Sequence, residues 1–261
     1  MNTVTKAIVL MLAATFIPIS ASAQRLHFGT NLVVPGQIIE FTAPLNGRPQ
    51  AARGAWFAPR GLTNLLKPCP LLIVSVPSGS SAIRWLPAVT NCAFQEGWAV
   101  LAADGPKVGV SDDTIPYGWG ILSSVLDQFT RTWPPARRWP VACAGFSGGA
   151  KRSATVAAAM TRDGWNVVGV FMGGCNEDYA TLGIQLFQPG QRFLQVPFFL
   201  SNGANDPIAN PQQATAVADS MRRSGFVNLK LATYTGGHRQ HNEHLTEALH
   251  GFHPGARALK K

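Results

Sequence analysis

The chain has 261 residues, 46% of them hydrophobic, and 22 Lys and Arg against 13 Asp and Glu give a formal net charge of +9. That length buries a substantial core in one α/β domain, and no long linker, repeat or low-complexity tract divides it. The basicity comes as much from scarce acids as from abundant bases, and Arg137-Arg138 and Arg222-Arg223 read as solvated surface; this excludes nucleic-acid binding as the function, while the charge favours attraction to anionic polymers or cell surfaces.

Residues 1–23 read as a signal peptide, with Lys6 in a short charged start, an apolar run from Ala7 to Phe16, and the small-x-small cleavage site Ala21-Ser22-Ala23. The run is too short to span a bilayer, and no later segment is long enough, so the expectation is a secreted or periplasmic protein without integral membrane association. The remaining domain, residues 24–261, opens with two antiparallel strands near 37–43 and 53–58 around the turn signal Asn46-Gly47. Apolar runs then place strands near 71–76, 98–103, 140–145, 166–172, 196–201 and 228–234. Helical stretches near 82–95, 119–131, 148–161, 211–224 and 240–250 fall between or after them. Short apolar strands with little alternation, joined by helical crossovers, predict a mostly parallel sheet of about eight strands with helices on both faces. The tail from Gly251 reads as loosely packed.

In an exported chain the four cysteines are permitted to pair. Cys69 precedes the third strand and Cys92 lies near the end of the following helix, which suggests one bridge; Cys143 and Cys175 form a second bridge or remain buried thiols.

The chemistry begins at Gly145-Phe-Ser-Gly-Gly149, a Gly-x-Ser-x-Gly pattern between an apolar strand and a helix. It places Ser147 on a tight strand-to-helix turn as the candidate nucleophile. Asp206 follows in the turn Asn205-Asp206-Pro207 beyond the apolar run Val196–Leu200, and His238 follows in Gly236-Gly237-His238 beyond the last strand. All three lie at the carboxyl ends of strands, on the edge where open parallel sheets gather their ligands. Histidine there is the general base, and Asp206 fixes its tautomer and stabilises the imidazolium.

On these motifs, over roughly residues 37–250, the chain resembles an α/β-hydrolase of the secreted esterase type. The neighbourhood is that of poly(3-hydroxybutyrate) depolymerase-like, feruloyl esterase-like and dienelactone hydrolase-like proteins. The resemblance implies a serine esterase that cleaves carboxylic esters, small or polymer-attached, through an acyl-enzyme with no cofactor. Its oxyanion donors would be the Gly148 N–H and one from the loop after the third strand. Where many relatives carry His-Gly, this chain reads Val76-Pro-Ser-Gly-Ser-Ser81; Ser80 is the favoured second donor and Gly79 the alternative. The segment 173–195 is too short for a large helical cap, so the site is expected to be open. Trp85, Tyr117 and Trp119 are candidates for its pocket, or else packing residues.

Two other functions share these residues. A serine peptidase of the prolyl oligopeptidase type uses the same elbow, but this chain has no room for its accessory domain. A non-catalytic exported binding protein would keep the fold without chemistry. A metal site built on His238, His241 and His244 is disfavoured, because no His-Glu-x-x-His is present and His238 already has a role.

Overall fold

A computed structural model describes residues 38–59, 68–76, 80–109 and 113–253. The proposed signal segment, Gly79 and the tail beyond His253 lie outside them. Strands β1 (Ile38–Pro44) and β2 (Ala51–Phe57) form an antiparallel hairpin. Gly47 sits in its turn at φ +73°, where a side chain is strained, and the Arg48 N–H donates to the Leu45 carbonyl at 3.2 Å.

From there strands and helices alternate. The order is β3 (Leu71–Ser75), α1 (Ala82–Gln95), β4 (Ala99–Asp104), α2 (Ile115–Thr132), β5 (Pro140–Phe146), α3 (Gly148–Arg162) and β6 (Asn166–Gly173). It continues with α4 (Tyr179–Phe187), α5 (Gln191–Leu194), β7 (Phe198–Gly203), α6 (Pro211–Arg223), β8 (Leu229–Tyr234) and α7 (Asn242–Phe252). The eight strands make one sheet in the order β1-β2-β4-β3-β5-β6-β7-β8. β2 meets β4 antiparallel, and every later pairing is parallel. Every residue of β3 and of β7 is buried, as strands covered on both faces must be.

Alternation along the strands divides the core into two layers. Leu71, Ile73, Val141 and Cys143 face α2, α3 and α6, whereas Leu72, Val74, Ala142 and Ala144 face α1 and α7. α3 is buried on nearly all sides and carries small residues because it is crowded: the Cα of Gly183 on α4 lies so near that a Cβ there would sit 2.9 Å from the Ala158 Cβ. Its hydroxyls stay satisfied, with Ser153 donating to the Ala150 carbonyl at 2.8 Å and Thr161 to the Ala157 carbonyl at 2.7 Å. Beneath α2, Trp56 packs its indole 4.8 Å from the Phe129 ring and 6.2 Å from that of Trp139.

Three expectations change. The stretch 173–195 holds two helices that the sequence reading left out; α4 lies against α3 in the helical layer and does not form a large cap. α2 begins at Ile115 rather than 119, because Thr114 caps it by accepting the Tyr117 N–H at 3.2 Å and Pro116 fits its first turn.

The cysteines do not pair. Cys69 belongs to the core layer under α2 and α3, while Cys92 on α1 belongs to the opposite layer, so the sheet stands between them. The Cys92 thiol instead donates to the Asn242 carbonyl at 3.5 Å. The β5–β6 register sets Cys143 beside Val170, and Cys175 lies beyond the end of β6, too far along for a bridge that needs Cα atoms within about 7 Å. The Cys143 sulfur rests 3.9 Å from that of Met160, and the Cys175 thiol donates to the Glu177 carbonyl at 3.2 Å. Burial pushes the Cys69 and Cys175 thiols up to about 11 and that of Cys143 higher still, so all three stay protonated and unreactive in the folded chain. Thiol titration of the unreduced protein in denaturant should therefore find four reactive groups per chain; two or none would restore a bridge.

Candidate active site

The β5–α3 turn is set by close backbone approach. A Cβ on Gly145 would lie 2.1 Å from the Gly149 carbonyl oxygen, and one on Gly149 would lie 2.5 Å from the Ser75 carbonyl oxygen at the end of β3. Only glycine fits either position. The turn between them forces Ser147 to φ 55° and ψ −124°, a conformation rare for any L-residue, and lifts its side chain off the sheet edge. The Ser147 N–H donates to the Gly173 carbonyl at 2.7 Å, which ties the turn to β6.

Asp206 and His238 arrive on loops that are bonded to each other. The Ala204 N–H donates to the Tyr234 carbonyl at 2.8 Å and the Asn205 N–H to the Gly236 carbonyl at 2.9 Å. Gly203 makes the crossing possible, since a Cβ there would meet the Gly236 oxygen at 2.4 Å. The Tyr234 hydroxyl donates to the Gly237 carbonyl at 2.9 Å and also to that of Arg239, closing the loop that carries His238.

The three candidate residues come together in one line. His238 Nδ1 lies 2.8 Å from Asp206 Oδ2, and His238 Nε2 lies 3.0 Å from Ser147 Oγ. Asp206 is only 3% exposed, and its other oxygen accepts the N–H groups of Ile208 and Ala209, each at 2.8 Å. Burial alone would raise its pKa, but the Ala209 N–H, the His238 ring and the Ile208 N–H outweigh it and hold the carboxyl below its ordinary value. A carboxylate beside Nδ1 and a hydroxyl beside Nε2 form a relay able to take a proton from that hydroxyl.

Gly148 is the first residue of α3, so its N–H is among those an α-helix leaves without an intrahelical partner. Ser80 lies just ahead of α1, partly buried, at the end of β3's outgoing loop. α1 itself is capped from another strand. Ser81 stands at its N-cap yet donates its hydroxyl to Asp104 Oδ2 at 2.7 Å, and Asp104 Oδ1 accepts the Ala82 N–H at 3.1 Å. Arg53 adds a bond to Oδ2 at 3.1 Å. The buried carboxylate thus favours the positive end of α1 and holds the chain leaving β3.

A cavity of about 660 Å³ opens beside the elbow, and Trp85 and Tyr117 line it. Trp85 stacks on Phe146 with ring centroids 6.3 Å apart, and the Phe146 ring lies 4.6 Å from that of His238. The Tyr117 hydroxyl donates to the Pro106 carbonyl at 2.8 Å. Trp119 sits elsewhere, packed edge-on to Phe187 of α4 at 6.4 Å, against the core. Sequence reasoning passed over Phe146, although it is a variable position of the Gly-x-Ser-x-Gly pattern itself.

The other histidines have neighbours of their own. His241 Nδ1 accepts the His244 N–H at 3.3 Å and caps α7, its ring stacked 4.5 Å from Tyr234. His244 Nδ1 lies 2.8 Å from the Ser201 hydroxyl. Among the described residues no group of three or more His, Cys, Asp and Glu is disposed to hold a metal ion, and no helix is long and apolar enough to cross a membrane.

The chain matches no family model and no curated protein. Solved structures do resemble it. Est1E from Butyrivibrio proteoclasticus, solved also with ferulic acid bound, superposes with a TM-score of 0.59 at 18% identity, over 84% of this chain and 99% of that one. An esterase from Pyrobaculum calidifontis gives 0.61 at 13% identity, over 87% and 86%. A thermostable carboxyl esterase from Bacillus coagulans gives 0.59 at 13%, over 83% and 99%. With its eight-stranded sheet and the elbow after β5, this chain has the α/β-hydrolase fold.

Replacing Asp104 by Ala removes the acceptor of three hydrogen bonds around a buried cap and should cost about 2–3 kcal/mol by denaturant unfolding, with Asn costing less. A loss under about 1 kcal/mol for Ala would remove the carboxylate's role at α1.

His244 carries a pH signature. Burial, and then repulsion from His241, lowers its pKa below the ordinary imidazole value. The unfolded chain then binds the proton more readily, so stability is full above the ordinary value and falls as pH drops through the folded one. Unfolding free energy should rise from about pH 5 to about pH 7, more steeply in the wild type than in His244→Gln; equal slopes would point to another group.

Proposed function

We propose that the protein is a serine esterase that cleaves carboxylic esters through an acyl-enzyme. The supporting observation is the continuous Ser147–His238–Asp206 line on a turn whose serine is held at positive φ. The esterases among structures of the same fold support the same reading. Ser147 Oγ attacks the ester carbonyl as His238 Nε2 takes its proton, and the C–O bond to the alcohol breaks as His238 returns that proton to the leaving oxygen. Water, activated by the same imidazole, then cleaves the acyl-serine. Asp206 keeps the Nδ1 proton in place and offsets the imidazolium charge.

The tetrahedral oxyanion takes the Gly148 N–H as one donor. Ser80 is our choice for the second, with Gly79 the alternative. Each donor of this kind is worth roughly 3 kcal/mol in the transition state. Residues 1–23 are read as a signal peptide, which would deliver the enzyme to the periplasm or the medium.

Turnover of p-nitrophenyl butyrate by wild type and Ser147→Ala, with fluorophosphonate labelling of both, tests the assignment. The variant should lose at least about 10⁴-fold in kcat and all labelling. Equal rates would reject Ser147 as nucleophile, and a folded wild type that neither labels nor turns over ester would favour the non-catalytic binding protein.

A further inference from the structure

Ester cleavage at Ser147 leaves the charge of the neighbouring cavity unexplained. The cavity begins one side chain away from the relay: Trp85 on its wall stacks on Phe146, which in turn packs on His238. On the opposite wall Arg152 lies five residues along α3 from Ser147, about 7.5 Å of helix rise. Ser75 and Val76, against which Gly149 packs, form part of its floor.

Among the described residues, four cations line this space, Arg53, Arg84, Lys107 and Arg152, against two carboxylates, Asp104 and Asp113. Both carboxylates are already paired, Asp104 with Arg53 at 3.1 Å and Asp113 with Arg152 at 3.0 Å. Arg84 and Lys107 are exposed and make no ion pair among the described residues. Among the described residues two positive charges are therefore left over on the walls, together with the hydroxyl group of Ser80. An alkyl or aryl group entering here would displace water from charged groups and return no hydrogen bond. A carboxylate would replace that water with charge-assisted bonds, and the field of the walls would draw it in.

We infer that the substrate is an ester bearing a second, free carboxylate, held by Arg84 and Lys107 in this cavity while its ester carbonyl lies at Ser147. The inference rests on the serine esterase reading and adds a substrate class to it. The charge can sit on the acyl side or on the alcohol side of the scissile bond.

The test compares esters with and without the charge. On the acyl side, p-nitrophenyl hemiglutarate, hemiadipate and hemipimelate are set against their methyl-capped counterparts. On the alcohol side, 4-acetoxybenzoate is set against its methyl ester. In at least one pair the charged ester should be favoured in kcat/KM by about tenfold at low salt, chiefly through KM. That ratio should collapse in the double variant Arg84→Gln, Lys107→Gln and shrink in 0.5 M NaCl, where charges at the surface are screened. Circular dichroism and melting check that the variant folds. The pair that responds tells which side carries the charge.

No charged ester outrunning its neutral partner, or a preference that survives the double variant, would overturn the inference while leaving the esterase intact. Calorimetric titration of Ser147→Ala with monomethyl glutarate and dimethyl glutarate reads the cavity without turnover. Selective binding of the monoester, lost in the triple variant, supports it even if Ser147 proves not to be the nucleophile; no selectivity counts against it.

Discussion

Everything at the candidate site depends on how closely three backbone segments approach one another at the carboxyl end of β5. Gly145 and Gly149 have no room for a Cβ, one against the other's backbone and one against β3. That contact draws the start of α3 down onto the sheet, and the residue between must absorb the turn at positive φ. Ser147 pays for the packing in backbone strain of roughly 1–3 kcal/mol, offset by the burial of α3 along nearly its whole length. The geometry that exposes the hydroxyl is thus a by-product of helix-on-sheet contact.

A second layer of support comes from side chains that never approach a reacting atom. Asp104 reaches from β4 to the start of α1 and anchors the chain on one side of the elbow. Asp178 does similar work on the far side, capping α4 through the Thr181 N–H at 2.9 Å while accepting from Ser220 of α6 at 2.7 Å. Buried or half-buried carboxylates thus serve as cross-braces between elements, which suits a chain poor in acids: few are present, and several of those hold structure.

Much of this was legible in the order of residues. Strand positions follow from short apolar runs bounded by Gly, Pro or Asn, and for inner strands such as β3 and β7 the boundaries fall within about two residues because burial on both faces leaves no polar position to blur them. The Gly-x-Ser-x-Gly, Asn-Asp-Pro and Gly-Gly-His segments each lie on a strand's outgoing loop, and the sheet order brings them to one edge. What failed depended on facing. Cys69 and Cys92 are well placed by chain order, but alternation turns one to each side of the sheet. Of the two roles open to Trp119, the indole takes the packing one, edge-on to Phe187 of α4. The short α4 contains Gly183, which sequence propensity penalises and which its contact with Ala158 requires. Asp104 gave no signal of its own, since an acid ending a strand resembles any turn residue.

The backbone bonds between the loops of Asp206 and His238 have a mechanical consequence. Two amide–carbonyl bonds and the Asp206–His238 side-chain bond join these loops to each other, and the Tyr234 hydroxyl closes the one that carries His238, whereas His238 reaches Ser147 through a single side-chain contact. A fluctuation that loosens this edge of the molecule would carry the acid and the imidazole off as one rigid body. The imidazole would keep its orientation and lose only its range to the hydroxyl, so thermal softening would switch the relay off and on reversibly, without scrambling the tautomer on which its chemistry depends.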